Sequence, residues 1–183
     1  MNQWRDDLVI AMKNGENLAF EQCYQLLSPQ VYSAILRICN DHASAQDLLH
    51  DTFINAFEKI ATYNEQHSFI AWLKRIAFNN TFNHIKRQKL AFEVVEQLPE
   101  GEYETTPEQQ AIDSNLLVTL LDTVPTSHRL LLWLFIVEQY SHDEIATLVG
   151  KSASYSKSIV SRALIKLKSH PVVVTEQKAR GML

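Results

Sequence analysis

The sequence predicts an all-α protein of two small helical domains joined by an acidic linker, the second domain a helix-turn-helix. Three observations lead there. The 183 residues include only 4 Gly and 5 Pro, so long stretches run without a chain breaker. Those stretches are rich in Leu, Ala, Ile, Gln and Glu, which favour helix, and none shows the regular alternation of a half-buried strand. Acidic groups also concentrate in one short internal segment. Residues 1–91 carry 9 basic and 9 acidic groups, residues 92–115 carry 7 acidic and no basic ones, and residues 116–183 carry 8 basic and 5 acidic ones. The formal net charge of −4 therefore comes from the middle of the chain. The flanking parts are neutral to mildly basic, which leaves binding to a polyanion open.

In the N-terminal domain, residues 1–91, Ser28-Pro29 is a helix start signal, with Ser capping and Pro at the first helical position. A helix from Pro29 to about Asn40 is expected. Ser44 is expected to cap the next helix, which runs to about Tyr63 with Leu48, Phe53, Ile54, Phe57 and Ile60 as its apolar stripe. Ser68 is expected to cap a long helix through about Leu90. There Phe69, Trp72, Leu73 and Ile76 share a face at i, i+3, i+4, i+7. Residues 92–107, with Pro99, Gly101, Pro107 and many Glu, read as a solvated linker.

The C-terminal domain is expected over residues 108–169. One helix runs from Glu108 to about Val124, a second from Ser127 to Gln139. Ser141 and Glu144 form an S-x-x-E capping box that opens a short helix, and Gly150 is placed to end it with positive φ. Ser152 is expected to cap a final helix to about Ser169. The tail, residues 170–183, has no assigned role.

Several function classes are disfavoured. No window of 18 apolar residues suggests a membrane span, and MNQWRDDLVI lacks a signal-peptide core, so a cytoplasmic location is expected. Cys23 and Cys39 stand 16 apart, which fits no zinc or redox motif. His50 lies between Asp47 and Asp51, but two carboxylates and one His on a single helix are too few to bind a metal. His142-Asp143 is explained by the first turn of a capped helix, where Asp is favoured by the dipole. No catalytic residues, no cofactor and no enzymatic activity are expected.

The stretch YSHDEIATLVGKSASYSKSIVSRALIKLK carries the functional signal. A capped helix of about eight residues, a Gly turn and a second capped helix make a helix-turn-helix, with Ile145, Ala146, Leu148 and Val149 facing inward. That motif lays its second helix in the major groove, early residues toward base edges. Ser152, Ser154, Tyr155, Lys157, Ser158 and Arg162 are the candidate DNA contacts.

The order of segments resembles the extracytoplasmic-function (ECF) sigma factors of RNA polymerase over about residues 18–168. AFEQCYQLLSPQVYSAILRICND resembles the opening helices of that family's first conserved domain. ASAQDLLHDTFINAFEKI resembles its polymerase-binding helix, and HSFIAWLKRIAFNNTFNHIKRQK its promoter-melting, −10-reading helix. VPTSHRLLLWLFIVEQYSHDEIATLVGKSASYSKSIVSRALIKLK resembles its −35-reading domain. The resemblance implies that Asp47, Leu48, Leu49, Asp51 and Phe53 face the clamp helices of the polymerase largest subunit, with the C-terminal domain toward the flap. It implies that Tyr63, Asn64 and His67 border a pocket for an extruded base, an ordinary capped turn being the alternative. Asn79 would reach a base edge, and Lys74, Arg75, Lys86 and Arg87 would hold phosphates. Core polymerase, promoter DNA and an anti-sigma factor are the implied partners, with no membrane insertion.

Four positions depart from the family pattern. Phe78 stands where Arg is common, Asn83 where Asp is usual, Ser156 where Val is normal, and Ile159 replaces a frequent Arg. These departures are expected to remove positive charge from DNA-facing positions and to put a hydroxyl near a core position, giving an unusual promoter choice or a low DNA affinity. Phe78, Ser156 and Ile159 thereby motivate a second reading: a sigma-like regulator that binds polymerase or a regulatory protein without opening promoters.

Overall fold

In a computed structural model of the chain, residues 6–92, 121 and 124–168 are described, and every regular element among them is helical. The chain divides into two compact units, Met1–His84 and Ile85–Leu183. The first holds α1 (Asp6–Lys13), α2 (Asn17–Cys39), α3 (His42–Glu58), a 3₁₀ turn (Ile60–Thr62) and most of α4 (Phe69–Phe92). The second holds α5 (Thr126–Ile136), α6 (His142–Val149) and α7 (Ala153–Lys168). The acidic linker beyond Phe92, the expected helix from Glu108 and the tail lie outside the described residues; Leu121, which falls within that expected helix, is helical and buried.

The first unit packs α2 against α3, with α1 across α2. Gly15, at φ 80°, turns α1 into α2; its N–H reaches the Met12 carbonyl at 3.0 Å and the Glu16 N–H reaches Ala11 at 3.1 Å. This closure needs a left-handed residue, which glycine adopts without a Cβ penalty. The buried face of α2 is Ala19, Cys23, Leu27, Val31, Ala34, Ile35 and Ile38. It runs in helical register straight through Pro29.

That register overrides the expected start at Ser28-Pro29. Pro29 lies inside α2, exposed, where it costs one backbone hydrogen bond and about 3 kcal/mol. Burying apolar groups on both sides of it, at about 1.5–3 kcal/mol each, outweighs that cost. The helix ends at Asn40, whose φ of 53° is tolerated by Asn. The cap of α3 is also displaced from its expected position. Asp41 is the N-cap, its carboxylate accepting from the Ser44 N–H at 2.7 Å, and Ser44 sits in the first turn. The Ser44 hydroxyl and backbone together hold the Asp41 carboxyl below its ordinary value. The helix stops at Glu58, and Ile54 is 46% exposed and so leaves the predicted apolar stripe.

Cys23 is buried in this core, and burial pushes its thiol up to about 12. Cys39 is half-buried. Because thiolate is the reactive form, alkylation of the native protein should modify Cys39 and spare Cys23 until unfolding. Equal rates at the two thiols, read by peptide mass, would contradict this packing.

In the second unit α7 packs on both α5 and α6. Buried Leu130, Leu131, Leu132, Trp133 and Leu134 make α5 largely an interior helix. It stops at Ile136, short of the expected Gln139, which turns the chain with a φ of 58°.

Candidate polymerase and nucleic-acid interfaces

On α3, Leu48, Leu49 and Phe53 are buried in the core of the first unit. They therefore present no surface to a partner, which corrects that part of the expected polymerase-facing set. Their apolar volume is what joins α3 to α2, with the Phe53 ring on Tyr24 at 4.8 Å and on Phe57 at 5.6 Å. Asp47 and Asp51 remain exposed, and so do His50 and Ile54. Spaced i, i+3, i+4, i+7, these four form one outward stripe, two carboxylates beside an apolar side chain. By sequence Ile54 is assigned to the buried stripe instead, because it stands three residues before Phe57, a helical core spacing.

Polar groups also join α4 to α3, beside the apolar contacts of Phe69, Leu73 and Ala77 with the core. The Asn80 amide donates to Thr52 Oγ1 at 3.3 Å and accepts from Asn55 at 3.4 Å, while the buried Thr52 hydroxyl donates to the Leu48 carbonyl at 2.6 Å. Asn80 thus faces inward and its neighbour Asn79 is half-exposed. Arg75, Asn79, Asn83 and Lys86 share one stripe at i, i+4, i+8, i+11, and Arg75, Asn83 and Lys86 are exposed. Arg87 is exposed beside it, whereas Lys74 is half-buried about a quarter-turn away.

Several bonds lie within the loop before α4. Tyr63 is buried, its ring 5.2 Å from Phe69 and 5.3 Å from Trp72, and its hydroxyl donates to the His67 carbonyl. A base has no access to that ring, so Tyr63 supports the loop from beneath. Asn64 and His67 are exposed. Asn64 Oδ1 accepts from the Gln66 N–H at 3.0 Å, and the His67 N–H reaches the Asn64 carbonyl at 3.1 Å.

In the second unit the capping box is complete. The Glu144 N–H donates to Ser141 Oγ at 3.3 Å, and Glu144 Oε2 accepts from the Ser141 N–H at 2.8 Å. Gly150, at φ 64°, closes α6, and the Lys151 N–H returns to the Ala146 carbonyl at 3.0 Å. Ile145, Ala146 and Val149 are buried and Leu148 is half-buried. The Ser152 hydroxyl accepts from the Tyr155 N–H at 3.1 Å and so caps α7.

Ser152, Ser154, Tyr155 and Lys157 are exposed; Ser158 and Arg162 are half-buried, with the Arg162 Nη2 donating to Ser158 Oγ at 2.5 Å. Ser154, Ser158 and Arg162 follow one line at i, i+4, i+8, Tyr155 lies beside it, and Lys157 flanks it on the other side. The Lys151 ammonium lies 5.9 Å over the Tyr155 ring. Lys151 was not among the sequence candidates; its signal was its place in the turn directly after Gly150.

The departures from the family pattern now have positions. Phe78 and Ser156 have no accessible surface, and Ile159 is 4% exposed. The premise that Phe78 and Ile159 take DNA-facing places is thereby corrected, because a buried position presents no charge to a phosphate. Ser156 takes a partner in His142, whose Nδ1 lies 3.0 Å from its Oγ while the imidazole stacks on Phe135 at 4.6 Å. Burial first, then Lys157, lower the pKa of His142, and Asp143 opposes them. Among the described residues no cluster of His, Cys, Asp and Glu is arranged to hold a metal ion, and no helix is long and apolar enough to cross a membrane.

Comparison with known proteins assigns the family. Residues 23–90 match sigma-70 region 2. The RNA polymerase sigma-E factor of Streptomyces coelicolor is 30% identical over 168 residues, covering 92% of this chain and 94% of that protein. The ECF RNA polymerase sigma factor BldN of the same organism is 32% identical over 165 residues, covering 86% of this chain and 62% of BldN. The sigma factor RpoE of Bartonella quintana, solved in complex with the anti-sigma factor NepR, shares the fold with a TM-score of 0.54 at 21% identity, over 81% of this chain and 94% of that one. The chain belongs to the RNA polymerase sigma factors of the extracytoplasmic-function class and acts in directing transcription initiation.

Proposed function

We propose that the chain divides this task between its two units and has no catalytic site of its own. The first unit holds core polymerase through the Asp47, His50, Asp51 and Ile54 stripe of α3, against a surface with basic and apolar groups such as the clamp helices of the largest subunit. The Arg75, Asn79, Asn83 and Lys86 stripe of α4, with Arg87 and Lys74 at its sides, takes the −10 region, and the Asn64–His67 loop receives an extruded base. The second unit reads the −35 element through Ser152, Ser154, Tyr155, Lys157, Ser158 and Arg162, seated in the major groove as a helix-turn-helix. The domain bounds implied are residues 1–91 and 108–169, joined by the acidic linker. An anti-sigma factor is the expected inhibitory partner, by analogy with the complexed Bartonella relative, and the cytoplasm is the expected site of action.

The observation that carries this reading is the outward set on α7. A capped helix after a Gly turn presents hydroxyls, an aromatic ring and cations on adjoining lines, while its opposite face is core. Two weak DNA contacts on one chain gain affinity once both are held on polymerase, which fits a protein that is acidic overall.

The test is transcription of fragmented genomic DNA by core polymerase with and without the protein. New start sites sharing two spaced upstream elements are expected. No new starts, with the same core active under another sigma factor and no inhibitor present, would reject the reading. On the promoter so mapped, Lys157→Ala in the holoenzyme should lower the slope of log affinity against log salt by about 0.9, the share of one phosphate contact. An unchanged slope would remove Lys157 from the interface.

A further inference from the structure

The loop of residues 63–68 is reached from the end of α1 by the Lys13 side chain. Lys13 closes that helix, and its ammonium donates to Glu65 Oε1 at 2.7 Å and to the Tyr63 carbonyl at 3.2 Å. It also lies 5.8 Å over the Tyr63 ring. The partners are 52 and 50 residues away in sequence, so these contacts are tertiary.

Three physical consequences follow from one cation in that place. The Tyr63 carbonyl precedes Asn64, so fixing it fixes the peptide plane from which Asn64 starts. The remaining loop bonds, from Gln66 N–H to Asn64 Oδ1 and from the Tyr63 hydroxyl to the His67 carbonyl, then lock the rest. Finally, Glu65 is the only acid of the loop and is exposed. Left alone, it would repel a nucleic-acid backbone; paired with Lys13, it does not. The Tyr63 and His67 carbonyls and Asn64 Oδ1 are thereby occupied, and Asn64 and His67 stay exposed, with no protein partner for the Asn64 amide NH₂ or the His67 imidazole among the described residues.

We infer that Lys13 is a positioning residue for base recognition: it holds the loop in the one shape in which Asn64 and His67 meet an extruded base, and it masks the charge of Glu65. This rests on the reading that the loop receives a base. Lys13 itself touches no DNA. Its effect is one of preorganisation, since a loop ordered in advance loses less entropy when the base arrives.

The experiment uses holoenzyme on the promoter mapped by the transcription assay, with each base of the upstream −10 element varied in turn on the non-template strand. Open-complex formation is measured for the wild type, Lys13→Met, Lys13→Arg, Glu65→Gln and Asn64→Ala. Asn64→Ala is expected to flatten discrimination at one base position. Lys13→Met should flatten the same position by about fivefold, the upper end of what one exposed ion pair contributes, while core affinity stays unchanged. Lys13→Arg should retain discrimination. Glu65→Gln in the Lys13→Met background should recover overall rate but not the lost discrimination, separating charge masking from loop shape.

If Asn64→Ala flattens a position and Lys13→Met does not, the inference is overturned and the loop reading stands. If Lys13→Met lowers activity equally at every base together with core affinity, Lys13 is merely structural and the inference is again overturned. If neither variant changes discrimination anywhere, the loop reading itself fails and the inference with it.

Discussion

Phe69→Ala is expected to destabilise the first unit by about 3–5 kcal/mol. The side chain is 1% exposed and opens α4 from the loop side. Its ring meets Tyr63 edge-on at 5.2 Å and Trp72 at 5.5 Å, so truncation leaves a cavity and removes two aromatic contacts. Against a total stability of about 5–15 kcal/mol for a domain, that is a large share. Ile54→Ala on the same unit is the control, since its side chain is outward and its loss should stay within about 0.5 kcal/mol. Urea unfolding followed by amide protection in α2, α3 and α4 makes the comparison. A Phe69→Ala cost no greater than that of Ile54→Ala would mean that Phe69 is not in the core. The two variants should also part functionally. Ile54→Ala should weaken holoenzyme assembly with a near-normal fold, whereas Phe69→Ala should lose activity by unfolding.

His142→Ala should cost the second unit about 2–4 kcal/mol and abolish a pH dependence. Loss of the stack on Phe135 accounts for roughly 0.5–1.5 kcal/mol. Leaving the Ser156 hydroxyl buried without its partner adds about 1–3 kcal/mol. Adding Ser156→Ala to His142→Ala should return part of the loss, because no orphaned hydroxyl remains. The pH dependence follows from the lowered pKa of the imidazole. As pH falls, the unfolded chain takes up a proton at about 6.5, before the folded chain does. Stability from this site is therefore complete above about pH 6.5 and declines as pH falls through the folded value. Hydrogen exchange of the α6 and α7 amides between neutral and mildly acidic pH reads it. Protection that falls just as steeply in His142→Ala would assign the effect to another group.

Elements with chemical punctuation at their ends were legible in the sequence. The Ser141–Glu144 box, Gly150 and Ser152 specify α6 and α7 through local hydrogen bonds, and the structure has each of them. The helix α4 starts directly after Ser68, at Phe69, as its position in the sequence leads one to expect. Local signals misled where a longer apolar face competed with them. Ser28-Pro29 resembles a helix start, yet the face from Ala19 to Ile38 continues across it. Asp41 and Ser44 are three apart, and both are capping residues in type; the Asp41 carboxylate reaching the Ser44 N–H settles which one caps.

The candidate interfaces divide the same way. The family resemblance picks out segments, α3, the loop, α4 and α7, because segment order and residue type are properties of the chain. Which side of each helix is free is not such a property. Leu48, Leu49, Phe53 and Tyr63 were included among contact residues, and packing takes all four into the interior. Phe78 and Ile159 looked like missing charges and have almost no accessible surface. The sequence by itself determined the fold class, the caps and turns of the C-terminal motif, and the family. Only the tertiary structure decided which side chains face outward, that Ser156 answers to His142, and that Lys13 reaches the loop 50 residues away. The reason is physical. Caps, turns and periodicity act within a few residues, whereas burial and long-range pairing depend on which faces meet when the helices pack.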